Sequence, residues 1–180
     1  IVLPNTPCDY TSNIVSGPFE DMITPDIPII NYVSIDTLTG GVMISWNQNN
    51  QPDTYGYIIY EIDGNGIVVP IDTVYGIANT SYIDFTNTSF GSLTYTVAAF
   101  DSCWTTTVPP TYQTSAKGEL NSTVFVTTAL NICAQEVDLT WSDYIGWTGI
   151  DHYEIHGRKV GQAWVNFGST TNGTFTVNVD

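Results

Sequence analysis

Two five-residue strings, Val42-Met43-Ile44-Ser45-Trp46 and Val137-Asp138-Leu139-Thr140-Trp141, recur at an interval of 95 residues. This repetition constrains the fold more than any other feature of the chain. Both strings alternate apolar residues with a second set, the period-two pattern of a half-buried β-strand. The register extends beyond them. Cys8 and Cys103 each precede their tryptophan by 38 residues, Tyr57 and Ile59 are matched by Tyr153 and Ile155, and Tyr82 is matched by Phe175. A period of this length is the size of one seven-stranded antiparallel sandwich, so 180 residues read as parts of a tandem array and not as one large domain.

The rest of the chain agrees with an all-β reading. Runs such as Ser81-Tyr82-Ile83-Asp84-Phe85 and Tyr95-Thr96-Val97-Ala98-Ala99 are separated by Gly, Asn, Asp and Pro. No window carries a convincing helical stripe. In the repeat register the counterpart of Tyr95 would fall at position 188, past Asp180. The expected organisation is a trailing segment at 1–26, a first sandwich at 27–128, and a partial second sandwich at 129–180 without its last two strands. The chain is then either a piece of a longer array cut out of phase with its domains, or a unit completed by strands from another chain.

Charge narrows the function classes. The chain holds 18 acidic residues and only three basic ones, Lys117, Arg158 and Lys159, for a net charge of −15. Three cations cannot neutralise a phosphate backbone, so nucleic acid is excluded as a partner, and anionic membranes by the same argument. An apolar content of 42% is enough for a folded core. No run of 18 apolar residues spans a membrane, and no signal peptide opens the chain. The expected location is extracellular or on a cell surface.

Chemistry-bearing constellations are sparse. His152, Glu154 and His156 lie on one strand face, but strand spacing puts the two imidazoles too far apart for one ion, so they read as solvated face residues. No Gly-x-Ser-x-Gly or phosphate loop occurs. No catalytic residue, metal site or cofactor is expected. Asp63-Gly64-Asn65-Gly66 reads as a hairpin turn. Sequons stand at Asn79, Asn87, Asn121 and Asn172. Of the three cysteines, Cys103 and Cys133 would close a loop of about 30 residues across the domain boundary, a bridge contributing about 3–4 kcal/mol; the alternative is three reduced thiols. Cys8 has no counterpart partner in the chain. Trp46 and Trp141 are core candidates. Trp104, Trp147 and Trp164 fall in loops, where they would bind a ligand or plug the domain junction, Trp147 together with Trp104.

Trp on the second strand, Tyr plus an aliphatic residue on the third, and Leu93-x-Tyr95-x-Val97 on the sixth together resemble a fibronectin type III domain, with Leu93 and Tyr95 at its tyrosine corner. More narrowly, Ile71-Asp72-Thr73-Val74, Thr80-Ser81-Tyr82-Ile83-Asp84, Tyr95 to Cys103 and Leu139 to Trp147 resemble tandem repeats of secreted Bacteroidetes proteins that carry a gliding-motility-associated C-terminal domain. That resemblance implies type IX export. Asp36-Thr37-Leu38, Asp72-Thr73-Val74 and Asp101-Ser102-Cys103 resemble the O-glycosylation pattern of that phylum, which implies Thr37, Thr73 and Ser102 as acceptors. Two function classes follow. The first is a non-catalytic spacer, display or adhesion array whose partners are neighbouring repeats and a protein or glycan. The second is an accessory carbohydrate-binding module of a larger secreted enzyme.

Overall fold

The computed structural model describes residues 23–85, 91–104 and 111–178, without the side chains of Cys103 and Trp104. Cys8, most of the expected 1–26 segment and the Asn87 sequon lie outside the described residues.

The first unit is built from two sheets. β1 (Ile30–Ile35), β2 (Val42–Trp46) and β5 (Ser81–Asp84) form one, in the order β1-β2-β5. β3 (Thr54–Ile62), β4 (Val68–Tyr75), β6 (Thr94–Trp104) and β7 (Tyr112–Thr114) form the other, in the order β4-β3-β6-β7, and β8 (Asn121–Ser122) pairs the opposite end of β6. Every pairing is antiparallel. Three strands facing four is the fibronectin type III arrangement. Alternation along the strands explains the layering: Val42, Ile44 and Trp46 turn inward to meet Tyr57, Ile59, Tyr95, Val97 and Ala99, all at most 1% exposed. Burying each aliphatic side chain contributes about 1.5–3 kcal/mol.

Turn chemistry fixes the registers. The Asp63 carboxylate accepts from the N–H groups of Asn65 and Ile67, and Gly66 takes φ +80°, which makes the expected β3–β4 hairpin. Asp36 closes the β1–β2 turn in the same way, through Leu38 N–H and the Thr39 hydroxyl. These hydrogen bonds hold the Asp36 and Asp63 carboxyls below the usual carboxylate range.

The second unit repeats part of this plan. β9 (Val126–Asn131), β10 (Glu136–Trp141) and β13 (Thr174–Asn178) form a sheet in the order β13-β10-β9. β11 (Tyr153–Gly157) and β12 (Val165–Thr170) form a two-stranded ribbon. β9 starts at Val126, ahead of the division expected at 128/129. The duplication extends to side chains. Ile44 lies opposite Tyr82 as Leu139 lies opposite Phe175. Trp46 meets Tyr57 edge-on at 5.2 Å, and Trp141 meets Tyr153 edge-on at 5.2 Å. Both indole N–H groups are buried without a hydrogen-bond partner. No helix long and apolar enough to cross a membrane occurs among the described residues.

Candidate functional site

The junction between the units is held by a set of polar contacts. It is made by the loop that follows β10. Val33 N–H donates to the Tyr144 hydroxyl at 2.9 Å, and that hydroxyl donates to Asn121 Oδ1 at 3.3 Å. Trp147 Nε1 donates to the Asn31 carbonyl at 2.9 Å, and Ser122 N–H donates to the Ile145 carbonyl at 2.9 Å. The Tyr144 and Trp147 rings lie 4.4 Å apart. Gly146 permits this approach: it takes φ +129°, and a Cβ there would collide with Asn121 Oδ1. Burial pushes the Tyr144 phenol up, against the lowering effect of the Val33 N–H. Between the units lies a largely apolar cleft of about 530 Å³, bordered by Val33, Ile35, Val124, Trp147 and Tyr153.

Trp147 therefore sits in the junction, with its ring about half exposed at 54%. Trp104 does not join it. The junction adjoins the Thr94 end of β6, whereas Trp104 ends that strand against Tyr112, ten residues or roughly 30 Å away. Trp164 stands apart on the second unit, exposed, with the Arg158 guanidinium 4.7 Å above its ring.

The same geometry corrects the expected disulfide. Cys133 is a free, exposed thiol at the tip of the β9–β10 turn, the end of that hairpin remote from the junction. Cys103 lies near the other extreme, on the far end of β6. A bridge needs Cα atoms within about 7 Å. Spacing along the chain suggested a staple, but the two strands carry the cysteines to opposite poles.

Thr37 is exposed on the β1–β2 turn, Thr73 is half-buried on β4, and Ser102 is exposed on β6. Asn121 is 2% exposed and its Nδ2 donates to the Glu119 carbonyl, so the folded chain offers no N-glycan acceptor there.

His152 and His156 are drawn together more closely than strand spacing implies. His156 Nε2 lies 3.1 Å, and His152 Nε2 3.7 Å, from the Glu154 carboxylate, because long side chains converge where backbones do not. His152 Nδ1 also meets Asp151 at 2.7 Å. Asp151 foremost, then Glu154, raises the His152 pKa above its usual value of about 6.5. A raised folded-state value stabilises the fold below the unfolded value and loses that contribution as pH rises through the folded one. The NMR titration midpoint of His152 is accordingly expected above 6.5, and Asp151→Asn should bring it back toward 6.5. An unmoved midpoint would show that Asp151 does not hold the proton. Among the described residues no group of three or more His, Cys, Asp or Glu is arranged to hold a metal ion.

Sequence reasoning missed an aromatic face on the outside of the β4-β3-β6-β7 sheet. Phe100 is ringed by Tyr55 at 5.9 Å, Tyr75 at 5.8 Å and Tyr112 at 5.3 Å. Phe100 itself is buried, while Tyr55 and Tyr75 are exposed. A shallow pocket of about 260 Å³ opens beside Tyr75, edged by the hydroxyl-bearing residues Thr73, Thr111 and Thr114.

No family model and no curated protein matches the chain. Among solved structures, the FN1-FN3 domains of chicken CNTN1 align with 87% of this chain at 12% identity and a TM-score of 0.41. The chain spans 56% of that structure's length. The fibronectin type III-like assignment stands on the strand order described above.

Proposed function

We propose that the chain is a non-catalytic structural and interaction module of a secreted or cell-surface bacterial protein. In this reading tandem sandwiches act as a spacer that displays loops and faces for attachment, in a gliding or adhesion setting reached by type IX export. The observation that carries the structural role is the junction. A flexible linker needs no buried amide such as Asn121 bonded across it, and no glycine fitted against that amide. These contacts fix the angle between units, which is what a spacer requires and a tether does not. The repeated strings and the acidic surface support the extracellular setting. Thr37 and Ser102, both exposed, are the better placed of the three proposed glycan acceptors.

Small-angle scattering of the chain tests this role. The wild type is expected to fit one interdomain geometry. Trp147→Ala removes the bond to Asn31 and the ring against Tyr144, and should broaden the distance distribution at its long end. An unchanged profile would mean that the lock does not set the angle.

The aromatic face favours a second reading, an accessory carbohydrate-binding module. Aromatic rings beside hydroxyl groups suit the apolar face and polar rim of a pyranose. A glycan array separates the readings. Sugar signals lost with Tyr75→Ala support binding at this face, signals lost with Trp164→Ala place it on the other unit, and a flat array leaves the spacer role alone.

A further inference from the structure

The outer face of the β4-β3-β6-β7 sheet carries rings and aliphatics where the second unit carries charge. Tyr57 and Ile59 correspond to Tyr153 and Ile155, so the outward residues Gly56, Ile58 and Tyr60 correspond to His152, Glu154 and His156. Tyr75 lies one past Val74, the partner of Tyr57, and its counterpart Thr171 lies one past Thr170, the partner of Tyr153. The repeat thus accepts polar side chains at these positions, and its core does not call for rings there. Two backbone devices assemble the rings. The register between β3 and β6 steps from Thr54 opposite Asp101 to Gly56 opposite Phe100, which leaves Tyr55 as the extra residue of a β-bulge. Strict alternation from the buried Tyr57 would send Tyr55 into the core. The bulge turns it outward, against Tyr75 and Phe100. Gly56 leaves room for Phe100 to lie across β3, since a Cβ there would collide with that ring and with the Val74 carbonyl. Phe100 alternates with the core residues Val97 and Ala99, yet it is 2% exposed beneath the tyrosines.

We propose that the pocket beside Tyr75 binds one neutral hexopyranose ring. Its volume of about 260 Å³ lies below the roughly 300–1,000 Å³ of drug-sized sites, which suits a single sugar ring. Ile58, Phe100 and Tyr75 give it an apolar side that matches the C–H face of a pyranose with equatorial hydroxyls. Thr73 on β4 and Thr114 on β7 give it oxygen acceptors for the hydroxyl groups of the ring. The Thr114 hydroxyl donates to the Tyr112 carbonyl at 3.3 Å and so keeps its lone pairs for a donor. Charge sets the selectivity. No charged side chain lines the pocket, and residues 1–116 contain no Lys or Arg. Lys117 is the next base along the chain, and its ammonium lies 4.6 Å above the Tyr60 ring. A uronic or sialic acid carboxylate would lose water there without meeting a cation, on a stretch that holds acids and no base. The site therefore takes neutral sugars and rejects acidic ones. This deepens the carbohydrate-binding reading, on which it rests, by naming the ring, its charge and the positioning residues Tyr55 and Gly56.

The test titrates the whole chain at neutral pH with methyl β-glucopyranoside and with methyl β-glucuronoside, read by amide and aromatic NMR shifts. The neutral sugar is expected to move the Thr73, Tyr75 and Thr114 signals with a dissociation constant on the order of 1 mM. The acidic sugar should bind at least about tenfold more weakly. Tyr75→Phe should keep the binding, and Tyr75→Ala should weaken it about tenfold or more, because the ring face and not its hydroxyl meets the sugar. Tyr75 is 59% exposed, so its truncation leaves the core in place, and unmoved signals from Tyr57 and Val97 check that it does. Three results would overturn the site. They are no shifts at about 50 mM neutral sugar, equal or tighter binding of the acidic sugar, or shifts at Thr73 and Thr114 that survive Tyr75→Ala. Glycan-array signals lost only with Trp164→Ala, or given by acidic glycans alone, would overturn this site and leave the carbohydrate-binding reading standing. A flat array would overturn both.

Discussion

Trp46→Ala is expected to cost the first sandwich about 3–5 kcal/mol, and Trp141→Ala no more than about half of that. The two indoles occupy the same place in the repeat, each meets the equivalent tyrosine, Tyr57 or Tyr153, edge-on at 5.2 Å, and both leave their N–H unpaired. The difference lies in what surrounds them. Trp46 is 1% exposed and sits against Tyr57, whose hydroxyl accepts from Asn49 N–H and donates to the Ile77 carbonyl. Its deletion opens a cavity in a closed core and loosens two loops bonded to that hydroxyl. Trp141 is only partly buried, so its deletion removes less area from contact, and solvent can fill the space left. A typical domain has only about 5–15 kcal/mol of stability to lose. Urea unfolding read by hydrogen exchange, which resolves each unit, checks the contrast. Equal losses at the two sites would show that Trp141 is packed as closely as Trp46, against its partial exposure.

Tyr95→Phe should cost about 1.5–3 kcal/mol, the value of a buried hydrogen bond to a carboxylate. Burial, with Asp84 beside it, pushes the Tyr95 phenol well above its usual range, so the hydroxyl stays a donor at every ordinary pH. Removing it leaves Asp84, 9% exposed, without that donor. The second unit shows what belongs with the loss. Val177 stands where Asp84 would, so the double variant Tyr95→Phe/Asp84→Val rebuilds in the first core the apolar pairing offered by the second. Its cost is expected to fall well below the sum of the single costs, with a coupling on the order of 1–2 kcal/mol in a double-mutant cycle. Strict additivity would mean that the two side chains do not act as a pair.

The repeat itself could be read from the sequence because its marks are large, inward-facing and locally patterned. Trp46, Trp141, Tyr57 and Tyr153 mark two sandwiches in the sequence alone. The aromatic face could not be read in that way. Tyr55, Tyr75, Phe100 and Tyr112 come from four strands, and only the order β4-β3-β6-β7 brings them together. The junction lies between these cases. Trp147 reads in the sequence as a loop tryptophan, but Asn121 reads only as a sequon and nothing in the sequence marks Gly146. Their roles depend on the close approach of the Asn121 amide to the Gly146 backbone, which no spacing reveals. The Cys103–Cys133 expectation failed for a related reason. Thirty residues of sequence are a short loop for an unfolded chain, yet two antiparallel strands can carry their ends to opposite poles.

The placement of the junction contacts has a mechanical consequence. The covalent link between units leaves β8, a two-residue strand paired to β6 at Asn121 and Ser122 and flanked by the Thr123–Leu93 and Ser122–Thr94 hydrogen bonds. Tension delivered through that link alone would peel a two-residue strand from its sheet. Tyr144 and Trp147 instead grip Val33 and Asn31, on β1. A load on the second sandwich is therefore shared with a six-residue strand in the opposite sheet, paired to β2 on both sides of a bulge at Asn31. Pulling strains both layers of the first sandwich at once, and the short β8 pairing is not left to bear the force by itself.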